Sequence, residues 1–168
     1  MIGWKQIVIN ESNMKDKNII GVISDTHGLL RPEVKDIFNN AGLIIHAGDI
    51  GGMDIIKELE EIAPVIAVRG NIDTGEELEK LPGIQKLKMK KHNFTVIHNI
   101  SNLKEGFIRE SNIIIFGHSH KPLIEKKDET IFFNPGSAGK KRFSLPVSVG
   151  LLYLVKDKIK PEIYYFDV

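Results

Sequence analysis

Cysteine is absent from this chain of 168 residues. Its absence excludes disulfides, thiolate zinc sites, iron–sulfur clusters and a cysteine nucleophile. Long apolar runs are absent as well, since none reaches the ~18 residues that a membrane span needs. The opening segment MIGWKQIVINESNMKDKN lacks the apolar core of a secretory signal. These absences predict a cytoplasmic protein that does not enter a membrane.

An excess of charge of one sign is also missing. Lysine and arginine together number 23 and aspartate and glutamate 22, so the formal net charge is +1. A chain so close to neutrality offers no electrostatic case for a dedicated surface that binds a nucleic acid polymer. The P-loop, G-x-G-x-x-G and G-x-S-x-G motifs are absent too, so NTPase, dinucleotide-binding and serine-esterase functions lose their usual signals.

The first half of the chain alternates strand and helix patterns. Short apolar runs predict strands and amphipathic segments predict helices, in the order Ile19–Ser24, Pro32–Asn40, Leu43–Ala47, Asp54–Ile62 and Val65–Val68. Asp54 is the expected N-cap of the second helix. This alternation predicts parallel strands joined by right-handed crossovers.

The second half has more strands and fewer helices, which predicts a second, mostly antiparallel sheet. Hairpin patterns join Ile84–Lys90 to Phe94–His98, Leu123–Lys126 to Thr130–Phe133, and Val147–Val155 to Lys158–Phe166. Between them lie a helical pattern and an apolar strand, at Leu103–Glu110 and Ile113–Phe116. We therefore predict an α/β (α+β) fold in which two sheets pack together with helices outside. Residues 18–168 are expected to form a single domain and residues 1–17 an extension, with a short strand at Ile7–Ile9 as the alternative.

Polar residues that bind metals follow five of the predicted strands. The segments are SDTHG, HAGD, GNID, IHN and GHSH, and they supply seven candidate ligands: Asp25, His27, Asp49, Asn71, His98, His118 and His120. Loops at the carboxyl ends of strands converge, so these side chains are expected to meet. Residues i and i+2 of extended backbone point to the same face, so each D-x-H or H-x-H pair is expected to direct both ligands into one cavity.

The types of ligand indicate which metals would bind. Two carboxylates, one amide oxygen and four imidazoles suit Mn²⁺, Fe²⁺, Ni²⁺, Co²⁺ or Zn²⁺ rather than Ca²⁺. Seven ligands are too many for one tetrahedral ion and suit two ions that share a carboxylate. A single D-x-H or H-x-H is a weak signal, and an amidohydrolase barrel of roughly 250 residues does not fit this length.

In this order the motifs resemble those of the calcineurin-like metallophosphoesterase superfamily. Within this superfamily, the chain resembles the small bacterial and archaeal phosphodiesterase branch in its short length and in the later NPGS segment. The resemblance extends over residues 19–168. It implies a four-layer α-β-β-α sandwich of two mixed β-sheets flanked by helices. It also implies two divalent metal ions, with manganese expected first, and a homodimer or higher homo-oligomer. One ion would be bound by Asp25, His27 and His120, the second by Asn71, His98 and His118, and both by Asp49.

The resemblance implies that a protein with such a site is a phosphodiesterase that hydrolyses a small phosphate ester. Two metal ions lower the pKa of a bridging water, and the resulting hydroxide attacks phosphorus. The expected catalytic residues are Asp49, Asn71 and His98, and the expected substrate contacts are Asn71 and Arg31. The alternatives are a metal-bearing scaffold of the same fold and a phosphomonoesterase, with a nuclease ranked below them.

Two positions depart from the pattern of the superfamily. Ile72 stands where many members have a histidine that helps to protonate the leaving group, and a side chain without a proton favours diesters with acidic leaving groups. Asn99 stands where glycine usually follows the metal-binding histidine, and it is either tolerated or narrows the substrate cleft.

Four further residues carry weaker expectations. We expect His46 to be a buried, hydrogen-bonded residue rather than a ligand. His92 is expected to be exposed in a hairpin turn. Asp73 is expected either to orient a residue of the metal site or to cap the following turn. Asn134 is expected to shape a turn near the site.

Overall fold

A computed structural model describes residues 6–168. Within this range the backbone forms eleven strands, which are Ile7–Val8 (β1), Ile19–Ile23 (β2), Leu43–His46 (β3), Val65–Ala67 (β4), Ile84–Met89 (β5), His92–Ile97 (β6), Ile113–Ile115 (β7), Leu123–Lys127 (β8), Thr130–Asn134 (β9), Val147–Val155 (β10) and Lys158–Phe166 (β11). The α-helices of this range are Pro32–Phe38 (α1), Met53–Glu60 (α2) and Glu105–Glu110 (α3). Short 3₁₀ turns lie at Glu11–Asn13, Leu78–Lys80 and Ile100–Asn102.

The strands form two mixed sheets. The five-stranded sheet has the order β11-β10-β2-β3-β4, with β2, β3 and β4 parallel as predicted and the β10–β11 hairpin antiparallel beside them. The six-stranded sheet has the order β1-β5-β6-β7-β9-β8.

The expectation that the second sheet is mostly antiparallel was wrong. Three of its five pairings, β1–β5, β6–β7 and β7–β9, are parallel. For β6 and β7 the cause is their connection, which passes through α3. A crossover of that length returns the chain to the same end of the sheet, so the next strand runs parallel to the last.

Alternation along the strands divides the apolar residues between layers. In β2, Ile20 and Val22 enter the core between the sheets, where they meet Ile113 and Ile115 of β7. Ile23 lies on the opposite face in the cluster formed with α1 and α2. A third cluster lies between the six-stranded sheet and α3 and is built from residues that include Ile114, Phe116 and Ile108. The result is the expected α-β-β-α order of layers.

Two local expectations need correction. Helix α2 begins at Met53 with Gly52 at its N-cap position, and Asp54 lies inside the first turn without capping it. His92 opens β6 opposite Met89 and is only 5% exposed, because the hairpin turn lies at residues 90–91. Strand alternation places His92 on the same face as Phe94, which belongs to the core between the sheets.

The start of the described chain joins the six-stranded sheet. Ile7 pairs with Leu87 and Val8 with Lys88, so β1 adds a short parallel edge strand, in line with the alternative expectation for this segment. Residues 1–5 of the expected extension lie outside the described residues, and the domain boundary near residue 17 stays a prediction. Within residues 6–168, no helix has the length and apolar character needed to cross a membrane.

Candidate metal centre

The seven candidate ligands lie in the loops that follow β2, β3, β4, β6 and β7. The first three strands belong to the five-stranded sheet and the other two to the six-stranded sheet. The loops therefore come from both sheets and meet at the carboxyl ends of these strands. Each ligand lies within five residues of the end of one of these strands.

Left-handed backbone is concentrated at the ligands. Five of the seven have positive φ, namely Asp25 (54°), His27 (48°), Asp49 (55°), His118 (69°) and His120 (58°). The D-x-H and H-x-H pairs therefore converge through left-handed loops, and the expectation of extended backbone was wrong. Positive φ is unfavourable for residues with a Cβ and is found where surrounding structure enforces it, often at functional sites.

Backbone hydrogen bonds between neighbouring loops hold these conformations. The N–H of Asp25 donates to the carbonyl of Gly48 at 3.0 Å, and the N–H of His27 donates to the carbonyl of Asp49 at 3.0 Å. Close approach also requires glycine at one nearby position. A Cβ on Gly117 would collide with Ser24 Oγ and would lie 2.6 Å from Asp25 Oδ2.

Asp25, His27 and His120 form the first group of donor atoms. Asp25 Oδ1 lies 3.2 Å from His120 Nε2 and 3.9 Å from His27 Nε2, and the two imidazole nitrogens are 3.3 Å apart. Asp25 Oδ2 accepts hydrogen bonds from Ser24 Oγ at 2.7 Å and from the backbone N–H of His118 at 3.1 Å.

Asp25 Oδ1, the other carboxylate oxygen, makes this group of donor atoms suitable for a cation. Asp25 Oδ1 is buried and has no hydrogen-bond partner in the described structure. A buried carboxylate oxygen without a donor costs ~1–3 kcal/mol or more, and a divalent cation bound there would compensate for it. Two imidazole nitrogens beside that oxygen complete a donor set suited to a transition metal.

The second group of donor atoms surrounds Asn71. Its Oδ1 lies 3.1 Å from His98 Nε2 and 3.1 Å from His118 Nδ1. His98 Nδ1 lies 2.8 Å from the carbonyl oxygen of Ala47, which can only accept a hydrogen bond. The proton of a neutral His98 is therefore assigned to Nδ1, which leaves the Nε2 lone pair for a metal.

Asp49 lies between the two groups. Its Oδ1 accepts a hydrogen bond from the backbone N–H of Ile72 at 3.1 Å. Its Oδ2 lies 3.9 Å from His27 Nε2 and 3.3 Å from His98 Nε2. One carboxylate oxygen thus faces both groups, which is the position of a ligand shared by two ions. The structure brings all seven predicted ligands into this one site.

Burial and neighbouring groups shift the pKa values of three candidate ligands, Asp49, His98 and His27. Burial works against ionisation of Asp49, but its hydrogen bonds with His98 and with the Ile72 N–H hold its pKa below the ordinary value. Burial likewise opposes a charge on His98, and the hydrogen bond that the Nε2–H of the protonated ring donates to Asp49 raises its pKa nevertheless. Burial and the nearby charge of Arg142 lower the pKa of His27. Asp49 is therefore ionised at neutral pH and available to a cation.

Asp73 connects the loops that carry two of the ligands. Its Oδ1 accepts from the backbone N–H groups of Ile50 (2.8 Å) and Gly51 (3.0 Å), and its Oδ2 accepts from Gly70 at 2.8 Å. These bonds join the loop that follows Asp49 to the loop that precedes Asn71. Of the two expected roles, the structure favours orientation of the site over capping of a turn.

His46 is fully buried and hydrogen-bonded, as expected. Its Nδ1 accepts from the backbone N–H of Gly48 at 3.2 Å, so the proton of the neutral ring is assigned to Nε2, 2.9 Å from Thr26 Oγ1. Thr26 Oγ1 donates in turn to the carbonyl of Ile50 at 2.8 Å. Burial lowers the pKa of His46 to about 4, which keeps the ring neutral.

Contact of Arg31 with substrate stays a prediction, and within the described structure its side chain is bonded to the segment at Gly139. Its Nη2 donates to the carbonyl of Gly139 at 3.2 Å, and its Nε is buried without a hydrogen-bond partner in the described structure. Asn134 shapes the NPGS turn by accepting from the N–H of Gly136 at 2.9 Å, and it also donates to the carbonyl of Gly117 at 3.0 Å. The contact from Ser24 to Asp25 was not predicted, since a serine beside a ligand is too common to be a signal.

Fold and site together define a two-sheet sandwich protein with a candidate metal centre. The sequence model of the calcineurin-like phosphoesterase superfamily domain matches residues 19–157. The chain belongs to this superfamily, as its motifs predicted. Membership implies phosphoesterase chemistry that depends on divalent metal ions.

Individual relatives agree with this assignment. A probable metallophosphoesterase of Methanothermobacter thermautotrophicus is 35% identical over 158 residues, which cover 86% of this chain and 91% of the relative. The solved structure of an archaeal phosphodiesterase superposes with a TM-score of 0.74 at 26% identity and covers 87% of this chain and 99% of its own, which confirms the predicted fold class. Zinc-bound Vps29 of Entamoeba histolytica shares the fold at a TM-score of 0.67 and 22% identity, covering 89% of this chain and 99% of its own.

Proposed function

We propose that this protein is a dinuclear metal-dependent phosphodiesterase that hydrolyses small phosphate diesters. The observation that carries the proposal is the position of Asp49, whose Oδ2 faces His27 on one side and His98 on the other. An oxygen shared between two groups of donors is what a pair of ions ~3.5–4 Å apart requires.

The two groups define which residues would hold each ion. The first ion would bind Asp25, His27 and His120, and the second would bind Asn71, His98 and His118, with Asp49 on both. Carboxylate, amide and imidazole ligands suit manganese first and iron, nickel, cobalt or zinc as well. Bound divalent ions acidify water and neutralise the negative charge of the phosphate oxygens.

The surrounding residues would keep the ligands in place and attract the substrate. The hydrogen bond from the Ile72 N–H orients Asp49, and Asp73 holds the loops that carry Asp49 and Asn71. The positive charge of Arg142 lowers the pKa of His27, so the same charge would attract an anionic substrate at the site. Arg31 would support the segment at Gly139.

A preference for acidic leaving groups follows from the side chain of Ile72. This residue directly follows Asn71 and is 42% exposed, and its alkyl group has no proton to give a leaving alkoxide. Esters whose leaving group is acidic need no such proton. We therefore propose that activated diesters are better substrates than ordinary monoesters.

The scaffold alternative is weaker on the residues present. Vps29 structures share the fold at identities of 22% or less, which compares architecture alone. Loss or replacement of a ligand would favour a scaffold, whereas all seven positions here hold competent ligands. A cytoplasmic location and a homo-oligomeric state stay predictions.

Hydrolysis of bis-p-nitrophenyl phosphate by chelator-treated protein, before and after addition of Mn²⁺, tests the proposal. The variants are Asp49→Asn and, as a matched control, Asp36→Asn on the exposed face of α1. We expect Mn²⁺-dependent hydrolysis in the wild type and the control, and its loss in Asp49→Asn.

Two other outcomes would contradict the proposal. If the protein binds two Mn²⁺ per chain and hydrolyses neither bis-p-nitrophenyl phosphate nor p-nitrophenyl phosphate, the scaffold function is favoured. If p-nitrophenyl phosphate is hydrolysed faster than the diester, the protein is a monoesterase.

A further inference from the structure

A cleft of about 380 Å³ opens directly from the second group of ligands. Asn71 and His98 form the wall that it shares with the candidate metal centre. From there it extends between the end of β4, the start of β5 and the turn that follows β6, where it is lined by Arg69, Ile84 and Asn99 among others. Its volume falls within the ~300–1,000 Å³ of pockets that bind small organic molecules.

The cleft presents hydrogen-bond donors on planar groups. Asn99 uses its Oδ1 to accept from the N–H of Ser101 at 3.0 Å, which leaves its Nδ2 amide as a donor group. Arg69 is exposed, and its Nη1 donates to the carbonyl of Glu79 at 3.3 Å while the guanidinium has further N–H groups. Asn102 adds a second amide, which is exposed, and Ile84 with Ile97 supplies an apolar surface.

These walls suit an organic group that is polar and accepts hydrogen bonds. An apolar aryl ring would bury donor groups without partners, and each unpaired donor lowers affinity. A nucleoside has ring and hydroxyl acceptors for the donors and a flat apolar face for the isoleucines. Arg69 can also stack on such a ring.

A phosphodiester has one ester group that leaves and one that stays on phosphorus. The lining of the cleft indicates which of the two it would bind. Apart from His98, which the proposed metal site uses, its side chains are amides, a guanidinium and alkyl groups. None of these donates a proton to a leaving oxygen at neutral pH. The cleft therefore suits the ester group that remains on phosphorus.

We propose that this cleft is a specificity site that binds the retained ester group of a phosphodiester, that it selects a nucleoside over an apolar group, and that Asn99 is a residue that determines this preference. The inference rests on the proposed phosphodiesterase function. It also gives a role to the residue that replaces the usual glycine after His98.

Two diesters that share a p-nitrophenyl leaving group test it with the metal-loaded enzyme. In thymidine 5′-p-nitrophenyl phosphate the retained group is a nucleoside, and in phenyl p-nitrophenyl phosphate it is an apolar ring. The measured quantity is the ratio of kcat/KM for the first substrate to that for the second. We expect Asn99→Ser to lower this ratio by about three- to tenfold, the value of one or two hydrogen bonds. Hydrolysis of the phenyl ester should change less than about twofold, a difference smaller than one typical hydrogen bond.

Serine keeps an oxygen that can accept from Ser101 and cap the following 3₁₀ turn, so the variant is expected to fold. Asn102→Ala is a second variant that leaves this cap intact, and we expect the ratio to fall in it as well. Asn40→Ala, an exposed residue remote from the cleft, is the matched control and should leave the ratio unchanged.

The outcomes separate this inference from the function on which it rests. Hydrolysis of both esters with a ratio that is the same in the wild type, Asn99→Ser and Asn102→Ala would overturn the specificity site and leave the phosphodiesterase intact. Hydrolysis of neither ester by the wild type with Mn²⁺ would overturn the proposed function and this inference with it.

Discussion

The backbone N–H of Ile72 donates a 3.1 Å hydrogen bond to Asp49 Oδ1, and this bond determines which oxygen of Asp49 faces the site. With Oδ1 occupied, Oδ2 is the atom directed at His27 and His98. Ile72, whose side chain cannot act as a proton donor, thus still contributes to the site through its backbone N–H. This relationship leads to the first prediction.

Asp49→Asn should reduce the number of ions bound. An asparagine can keep its oxygen on the Ile72 N–H, but the position of Oδ2 is then taken by an NH₂ group, which does not bind a cation. We expect calorimetric titration with Mn²⁺ to fall from two ions per chain to one or none. Two tightly bound ions in the variant would show that Asp49 is not shared.

Asp73→Asn should weaken both the fold and the metal site. The carboxylate accepts three backbone hydrogen bonds, whereas an asparagine has one acceptor oxygen and would leave at least one buried N–H group unpaired. We expect the free energy of unfolding to fall by about 2–4 kcal/mol. Affinity for Mn²⁺ should fall by roughly 10–100-fold, as for other residues that orient metal ligands.

Urea denaturation and Mn²⁺ titration measure the two effects of Asp73→Asn. Asp36→Asn is the control, because this side chain is exposed on α1 and should leave both quantities unchanged. A variant with wild-type stability would contradict the assigned role of the three bonds.

His46→Gln should flatten the pH dependence of stability of the metal-free protein. The folded pKa of His46 is about 4, below the unfolded value of 6.5, so between these values the unfolded chain binds a proton that the folded chain excludes. The contribution of His46 to the free energy of unfolding is therefore fully present above pH 6.5. It falls as the pH drops towards 4, by roughly 3 kcal/mol over the interval.

Urea denaturation at several pH values between 4 and 7, with chelator present, measures this dependence. A glutamine does not titrate, so the loss of unfolding free energy attributed to His46 should disappear in the variant. The other titrating groups contribute equally in both proteins. An unchanged difference between pH 7 and pH 4.5 in the variant would assign the effect to other residues.

Metal binding should stabilise the fold. Asp25 Oδ1 is buried without a donor in the described structure, so the metal-free protein retains an unfavourable group that a cation would satisfy. We expect Tm to rise with Mn²⁺ concentration, with a gain near 2.7 kcal/mol at one hundred times Kd. Thermal denaturation after chelation and after readdition of Mn²⁺ measures this, and Asp25→Asn should lose most of the gain. A Tm that is independent of Mn²⁺ would argue against a metal at this position.

Much of the site was predictable because its information is local in the sequence. Apolar runs such as Ile113–Ile115 mark buried strands, and donor side chains that follow them mark the edge at which loops converge. The choice of seven ligands needed only residue type, order and position after a strand. The closing hairpin of β10 and β11 was predicted with its observed bounds for the same reason, since strand alternation and a polar turn are local features.

Features that depend on distant partners were not predictable. His92 was expected to be exposed, but the register with Met89 turns it towards the core. The left-handed φ of residues such as Asp25 is held by hydrogen bonds to a neighbouring loop more than twenty residues away. The role of Asp73 as an acceptor for two loops was unpredictable for the same reason, because from the sequence alone its carboxylate could equally cap a turn.

The amino-acid sequence by itself determined the superfamily, the order of the main strands and the identity of the candidate ligands, since these follow from side-chain chemistry and its spacing. Tertiary structure alone decided which oxygen of Asp49 is free, which nitrogen of His98 faces the site, and that Asn99 lines a cleft beside Asn71. These are properties of atoms brought together by the packing of two sheets, and no spacing along the chain encodes the distances between them.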